Sequence, residues 1–163
     1  MDKAVNQIDA AYKMRMTKEA EKGIKKINAM VLFIPDGDTL TVRLDGKKET
    51  IRLLLVDSPE SVHPEKQVQP YGKASCFFVR NLAPIGKEIQ VELDVCERDK
   101  YGRLLAYVYI EGKMLNELLL EKGFARVAYV YPPNTRYVER FRKIERSAQK
   151  QGVGIWAWVD NIT

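Results

Sequence analysis

Three apolar-rich runs, at 29–34, 39–44 and 50–56, follow one another with only short turns between them. The first connection is Pro35-Asp36-Gly37-Asp38 and the second centres on Asp45-Gly46, both strong turn signals. Neither leaves room for the crossover helix that a parallel strand pair requires. A doubly wound α/β sheet is therefore excluded, and the chain must start as an antiparallel meander. Thr39, Val42 and Leu44, then Ile51, Leu53 and Leu55, read as a hairpin entering a continuous apolar strand.

The segment 61–70 has Pro64, Pro70 and no periodicity, and reads as a loop. A helical pattern follows over 71–82, with Ala74, Phe77, Phe78 and Leu82 expected on its apolar side. Segments 87–95 and 103–110 alternate as strands around a polar turn. Met114 to Lys122 predicts a short helix stopped by Gly123, and 137–151 an amphipathic helix stopped by Gly152. Five strands, one helix after the third and two after the fifth fit an α+β, mostly β fold: a five-stranded OB-type barrel with three helices.

Of the 163 residues, the first 27 have few large apolar side chains and many helix formers. They read as a charged, partly helical leader or linker, and 28–163 as the folded domain. The leader holds seven Lys/Arg against four acids, a local +3 within a net charge of +5. So mild an excess is compatible with a polyanion partner but does not identify one. No apolar run approaches the roughly 20 residues of a membrane helix, and the N-terminus lacks a signal-type apolar stretch. Cys76 and Cys96 are too few for a disulfide framework, although a bond between them stays open. Cys76 reads as a small buried hydrophobe beside Phe77 and Phe78, and Cys96 as a turn residue. The only histidine, His63, reads as a solvated loop residue.

The chemistry concentrates at strand ends. Asp36 and Asp38 flank Gly37, while Asp57 and Glu60 directly follow the run IRLLLV. Asp and Gly are ordinary turn residues, yet a barrel would bring both acidic turns to one rim. There they would offer hard oxygen ligands to Ca²⁺ or Mg²⁺. Arg52 lies inside an apolar strand and needs a partner, which is either a carboxylate such as Asp57 or Glu60, or a phosphate. Arg103, in the turn DKYGR, has the same two readings. Tyr129 and Tyr131, spaced i, i+2, would share one strand face, either as packing aromatics or as a stacking platform.

The segments DGDT (Asp36–Thr39), RLLLVDSPE (Arg52–Glu60), DKYGR (Asp99–Arg103), LAYVY (Leu105–Tyr109) and VAYVYPPN (Val127–Asn134) resemble, in this order, the staphylococcal nuclease family. The resemblance runs from about Ala29 to Trp156. It implies an OB-type barrel with three helices and a Ca²⁺-dependent endonuclease that leaves 3′-phosphate ends on DNA or RNA. By this resemblance Asp38 and Asp57 are the Ca²⁺ carboxylates, Ser58 adds a backbone carbonyl, and Asp36 and Thr39 support the site from just outside. Glu60 matches the general base, Arg52 and Arg103 the guanidiniums on the scissile phosphate. Lys100 and Tyr129 match contacts to a terminal phosphate, and Tyr131 a base-stacking ring. Ser58 stands where Thr is commoner in the family, and the loop 61–70 carries only Lys66. The implied substrates are single-stranded or readily opened nucleic acids, the implied state a monomer without a stable protein partner, and the implied parent secreted or membrane-anchored. A binding-only module would have no use for Asp38, Asp57, Glu60, Arg52 and Arg103 together.

Overall fold

The computed structural model describes residues 23–61 and 70–160. The expected leader up to residue 22, His63 and Lys66 lie outside the described residues. Strand β1 (Ile27–Asp36) pairs antiparallel with β2 (Thr39–Leu44), and β2 with β3 (Lys47–Leu53), in the register Leu40↔Ile51. Asp45 and Gly46 both take positive φ, 50° and 76°, as a two-residue hairpin turn matched to strand twist requires. On its other edge β1 pairs with β5 (Glu88–Arg98), which pairs with β6 (Leu104–Ile110). Parallel pairing of β6 with β3, Ile51↔Leu104, closes the ring. The result is the expected five-stranded barrel.

Alternation decides what fills it. Val31, Leu40, Val42, Ile51, Ile89, Val91, Ala106 and Val108 all point inward and are fully buried. Each large aliphatic among them contributes roughly 1.5–3 kcal/mol of transfer free energy. A tight turn at Glu111–Gly112 leads to β7 (Lys113–Met114) and helix α2 (Leu115–Glu121), whose Leu115, Leu119 and Leu120 are buried. Helix α3 (Val138–Gln151) buries Phe141 and Ala148 and ends on Gly152 in the left-handed region, φ 65°. A fourth, short helix, α4 (Ile155–Asp160), adds to the three expected. Among the described residues no helix is long and apolar enough to cross a membrane.

Four local expectations fail, each for a tertiary reason. The run 50–56 is not one continuous strand: it turns at Leu54-Leu55, with Leu55 at φ 64°. Val56–Asp57 then forms β4, paired with β8 (Arg126–Val127). Leu54 N donates to Ala106 O and Leu55 O accepts from Ala128 N, so burial is kept while the chain changes direction. Helix α1 (Gly72–Leu82) buries Gly72, Ser75, Cys76 and Val79, whereas Ala74 is exposed and Phe77 is 67% exposed. The inner face is small because it lies against backbone, and Ser75 Oγ donates to Phe124 O at 2.8 Å. Tyr129 and Tyr131 are in a loop instead of on a strand face, since Tyr129 has φ 54° and β8 ends at Val127. Cys96 is an exposed residue of β5, which runs on to Arg98, and both thiols are free.

Candidate active site

The open rim of the barrel holds a cleft of about 740 Å³. The turn after β1 supplies Asp36, Asp38 and Thr39; β3 and β4 supply Arg52 and Asp57; the following segment supplies Glu60. The β5–β6 turn adds Lys100 and Arg103, and the loop after β8 adds Tyr129 and Tyr131. Every side chain singled out from the sequence therefore lines one space, apart from Ser58, which is buried beneath it.

Asp38 is nearly buried, and its partners fix both oxygens. Oδ1 accepts from Thr39 Oγ1 at 2.9 Å and Oδ2 from the Ser58 amide at 3.0 Å. Arg52 Nη2 stands 3.3 Å from Asp38 Oδ2 and also 3.3 Å from Asp57 Oδ1. Arg52 Nη1 donates to Leu53 O (2.9 Å) and Val56 O (2.8 Å), so the guanidinium braces the Leu54-Leu55 turn. The ion-pair reading of Arg52 is thus realised with Asp57 and also with Asp38. Its Cζ lies 5.5 Å from the centre of the Tyr129 ring, within cation–π range.

Burial and then the neighbouring Asp38 push the Asp57 carboxyl above its ordinary pKa, against the pull of Arg52 and Arg126. Asp36 is raised as well, by burial first, although it accepts from Ser61 Oγ (2.7 Å) and the Gly37 amide (3.0 Å). Carboxylates crowded until they resist ionising are the setting in which a cation is welcome. The donor set is all oxygen, which suits a hard cation, but it is small. Among the described residues no group of three or more His, Cys, Asp or Glu is placed to hold a metal. Asp38 and Asp57, which share Arg52 Nη2, would leave most of such an ion's shell to water.

Glu60 is placed by its backbone. A Cβ built on Gly72 would sit 2.0 Å from Glu60 O, so only glycine lets the first residue of α1 lie against that carbonyl. Between β5 and β6, Asp99 organises the DKYGR turn. Its Oδ1 accepts from the amides of Tyr101 and Arg103, both at 2.9 Å, and its Oδ2 from Arg103 Nε at 2.7 Å. Partial burial opposes ionisation of Asp99, but these bonds win and hold its pKa below the ordinary value. Arg98 anchors the same turn, reaching Gly102 O at 2.8 Å and making a two-pronged pair with Glu49 of β3 at 2.9 Å per bond.

The two tyrosines are exposed, with ring centres 6.4 Å apart. Their loop passes through a cis Pro132-Pro133 bond to the buried Asn134, which is fastened to β5. Two residues on, Arg136 Nη1 donates to the buried Glu92 (2.8 Å) and to Leu93 O (2.9 Å). Sequence reasoning missed Asp99, Asn134, Arg126, Tyr101 and the Glu49–Arg98 pair. Only Asp99 had a local signal, since it stands four residues before Arg103. Arg126 becomes visible through the β4–β8 register, where it faces Asp57 and lies 3.2 Å from Oδ2.

A barrel of this topology with guanidiniums and carboxylates around one rim defines a class, and comparison with known proteins agrees. Residues 50–158 match the model of the staphylococcal nuclease homologue family. Endonuclease YncB of Bacillus subtilis (strain 168) is 43% identical over 159 residues, 97% of this chain and 75% of that protein. The SPbeta prophage-derived endonuclease YokF of the same organism is 49% identical over 123 residues, 75% of this chain and 41% of that one. The thermonuclease of Staphylococcus hyicus is 44% identical over 128 residues, 78% of this chain and 74% of its own. The chain belongs to the staphylococcal nuclease family and is a nuclease hydrolase.

Proposed function

We propose that this chain is a Ca²⁺-dependent endonuclease that hydrolyses phosphodiester bonds of DNA and RNA with little sequence preference and leaves 3′-phosphate ends. The observation that carries this reading is the convergence of Arg52, Arg103, Asp38, Asp57 and Glu60 on one open cleft. Arg52 on β3 and Arg103 at the foot of the neighbouring β6 both line the cleft, so a phosphate held there would meet two cationic donors. Charge on the phosphate oxygens grows as the bond to the attacking oxygen forms, and planar guanidiniums bind that charge more tightly than the ground state. Glu60 accepts the proton of the attacking water. The bond from phosphorus to the 5′-oxygen breaks, that oxygen takes a proton from solvent, and the phosphate stays on the 3′ side.

Asp38, Asp57 and the Ser58 carbonyl would hold the metal ion, with Asp36 and Thr39 steadying them. Bound there, the cation would offset the carboxylate repulsion and polarise a phosphate oxygen. A flexible, partly aqueous oxygen set suits Ca²⁺ better than Mg²⁺, which demands near-octahedral geometry. Lys100 and Tyr129 bind a flanking phosphate and Tyr131 stacks on a base, which favours unpaired strands because duplex bases are already stacked. The catalytic domain is taken to begin with the first barrel strand at Ile27, one residue before the boundary expected at 28, with the earlier residues as a leader outside it.

The test is incubation of single-stranded DNA with the protein in Ca²⁺, in Mg²⁺ and in chelator, with end-group analysis of the products. Cleavage in Ca²⁺ alone, leaving 3′-phosphates, is the expected result. Full activity in chelator overturns the metal assignment, and 5′-phosphate products overturn the assigned bond.

A further inference from the structure

Helix α3 carries a one-sided charge that the cleft does not use. Arg142, Lys143, Arg146 and Lys150 are all exposed on it, and none of their side chains makes an ion pair or hydrogen bond with another described residue. Of the helix's two acids, Glu145 is turned inward to accept from the Val127 amide, and Glu139 lies in the first turn. From Arg142 onward the exposed face is therefore cationic or neutral.

Unlike Arg142 and Arg146, every other described arginine reaches an acceptor, Arg140 on this same helix included. Arg98 pairs with Glu49, Arg126 with Asp57 and Arg140 with Glu117. An ordinary solvated helix intersperses both signs, because like charges four residues apart repel. Arg142 and Arg146, then Arg146 and Lys150, have that spacing, and no acid shares their row. The helix dipole favours a cation only in the last turn, which accounts for Lys150 but not for Arg142 or Lys143.

Four residues of helix advance about 6 Å, so Arg142, Arg146 and Lys150 form a row about 12 Å long. The row starts near the cleft. Asn134 lines it, and four extended residues plus four helical ones span at most about 20 Å to Arg142. A strand leaving the cleft past Tyr131 needs only a few nucleotides to extend as far as Arg142.

We propose that the outer face of α3 is an auxiliary site for the phosphate backbone of a long DNA or RNA strand whose scissile bond lies in the cleft. The inference rests on the nuclease reading above and extends it to substrate length. The face recognises phosphates by charge, so it is blind to sequence and weakened by salt.

The experiment compares the full chain with Arg142→Gln/Arg146→Gln/Lys150→Gln on oligothymidylates of about four and about thirty nucleotides, a range that spans single-strand site sizes. On the short strand kcat/KM is expected to stay within about twofold. On the long strand at low salt it should fall about tenfold, and the salt slope of log Kd should fall by about 2, at roughly 0.7 for each phosphate no longer neutralised. The charge-keeping Arg142→Lys/Arg146→Lys protein should bind the long strand like the parent. An unchanged slope, equal loss on both lengths with intact circular dichroism, or equal loss in the Lys variant overturns the proposal. So does charge-dependent binding to phosphatidylserine vesicles without any change on the long strand. Affinity is read separately by fluorescence anisotropy in chelator. Helix-dependent binding without cleavage by the parent refutes the nuclease reading alone, and cleavage without helix dependence refutes the α3 site alone.

Discussion

Asn134 grips the backbone of Cys96 from both sides: its Oδ1 accepts from Cys96 N and its Nδ2 donates to Cys96 O, each at 2.8 Å. The amide thus replaces a missing strand neighbour on β5 and moors the loop that carries Tyr129 and Tyr131. Asn134 N also donates to Tyr131 O at 3.1 Å. Asn134→Ala is expected to cost about 1–2 kcal/mol, because Cys96 is exposed and water can replace part of the clamp. Ground-state binding should loosen with the rings, so KM should rise severalfold while kcat changes little. Denaturant melts and steady-state kinetics on single-stranded DNA check both numbers.

Asp99 divides its work between its two oxygens, which permits a clean substitution. In Asp99→Asn, Oδ1 keeps the amides of Tyr101 and Arg103, but the new NH₂ cannot accept from Arg103 Nε. The turn should survive while the guanidinium loses its orienting partner, a charged bond of about 1.5–3 kcal/mol. A fall in kcat of roughly 10- to 100-fold is expected, with a modest fall in melting temperature at pH 7, where the Asp99 contribution is fully present. The acid limb follows from the lowered pKa of Asp99. Its contribution to stability is complete above the unfolded carboxylate value of 3.8 and disappears as pH falls through the lower folded value. The parent should therefore show an extra loss of stability below pH 3.8 that the Asn variant lacks.

Gly72 tests whether Glu60 must stand where its backbone puts it. An alanine methyl there would meet Glu60 O at 2.0 Å and the Glu60 carbonyl carbon at 2.6 Å. Neither neighbour is a yielding side chain, so the Glu60 segment or the start of α1 must move. Gly72→Ala is expected to cost about 1–3 kcal/mol, as overpacking does, and to lower kcat. Displacement by 1 Å is enough for losses on the order of 10²-fold. By comparison, alanine at exposed Gly86 meets nothing within 4 Å, and its strained φ of 90° should affect stability only.

These relationships show where sequence reasoning reached and where it stopped. The meander was legible because Asp45-Gly46 is a local turn signal and β2 and β3 alternate cleanly. The acidic rim was legible too, since Asp38 lies in the turn after the first apolar run and Asp57 follows the third, in a chain that had to close on itself. The break at Leu55 was hidden, because LLLV reads as one apolar run. Only the demand of Leu54 and Leu55 for partners at Ala106 and Ala128 bends it. The inner face of α1 was misplaced for a related reason: hydrophobicity favours Phe77, but close approach to Glu60, Gly37 and Phe124 requires small residues. The Asn134 clamp joins positions 38 residues apart, and the Asp57–Arg126 pair spans 69. No local pattern carries such separations.

The proposed domain boundary gives a direct test. Lys26 Nζ lies 3.8 Å over the Tyr109 ring and β1 starts at Ile27, so both must be retained. Deleting residues 1–24 is expected to leave the melting temperature within a few degrees and kcat within about twofold. Loss of folding, seen by circular dichroism, would place the leader inside the domain.

The division of labour at the phosphate is tested by Arg52→Lys and Arg103→Lys. Lysine keeps the positive charge but offers a point instead of a planar fork. If the guanidiniums act mainly on transition-state charge, each substitution should lower kcat, with a ceiling near the 10³–10⁵ typical of losing a catalytic arginine. Arg52→Lys should also destabilise the fold, because Arg52 braces Leu53 O and Val56 O besides both carboxylates. Arg103→Lys should not, since the Asp99 Oδ1 bonds to the turn amides remain. If Glu60 is the base, as proposed, Glu60→Gln should cost roughly 10²–10⁴ in kcat. Lys100→Ala and Tyr131→Ala, at positions proposed to act away from the reacting bond, should appear mainly in KM. Steady-state kinetics on the five variants, each checked for folding, separates these roles. Near-normal kcat in both Arg→Lys proteins together with an inactive Lys100→Ala would reverse the assignment and move the reacting phosphate towards the mouth of the cleft.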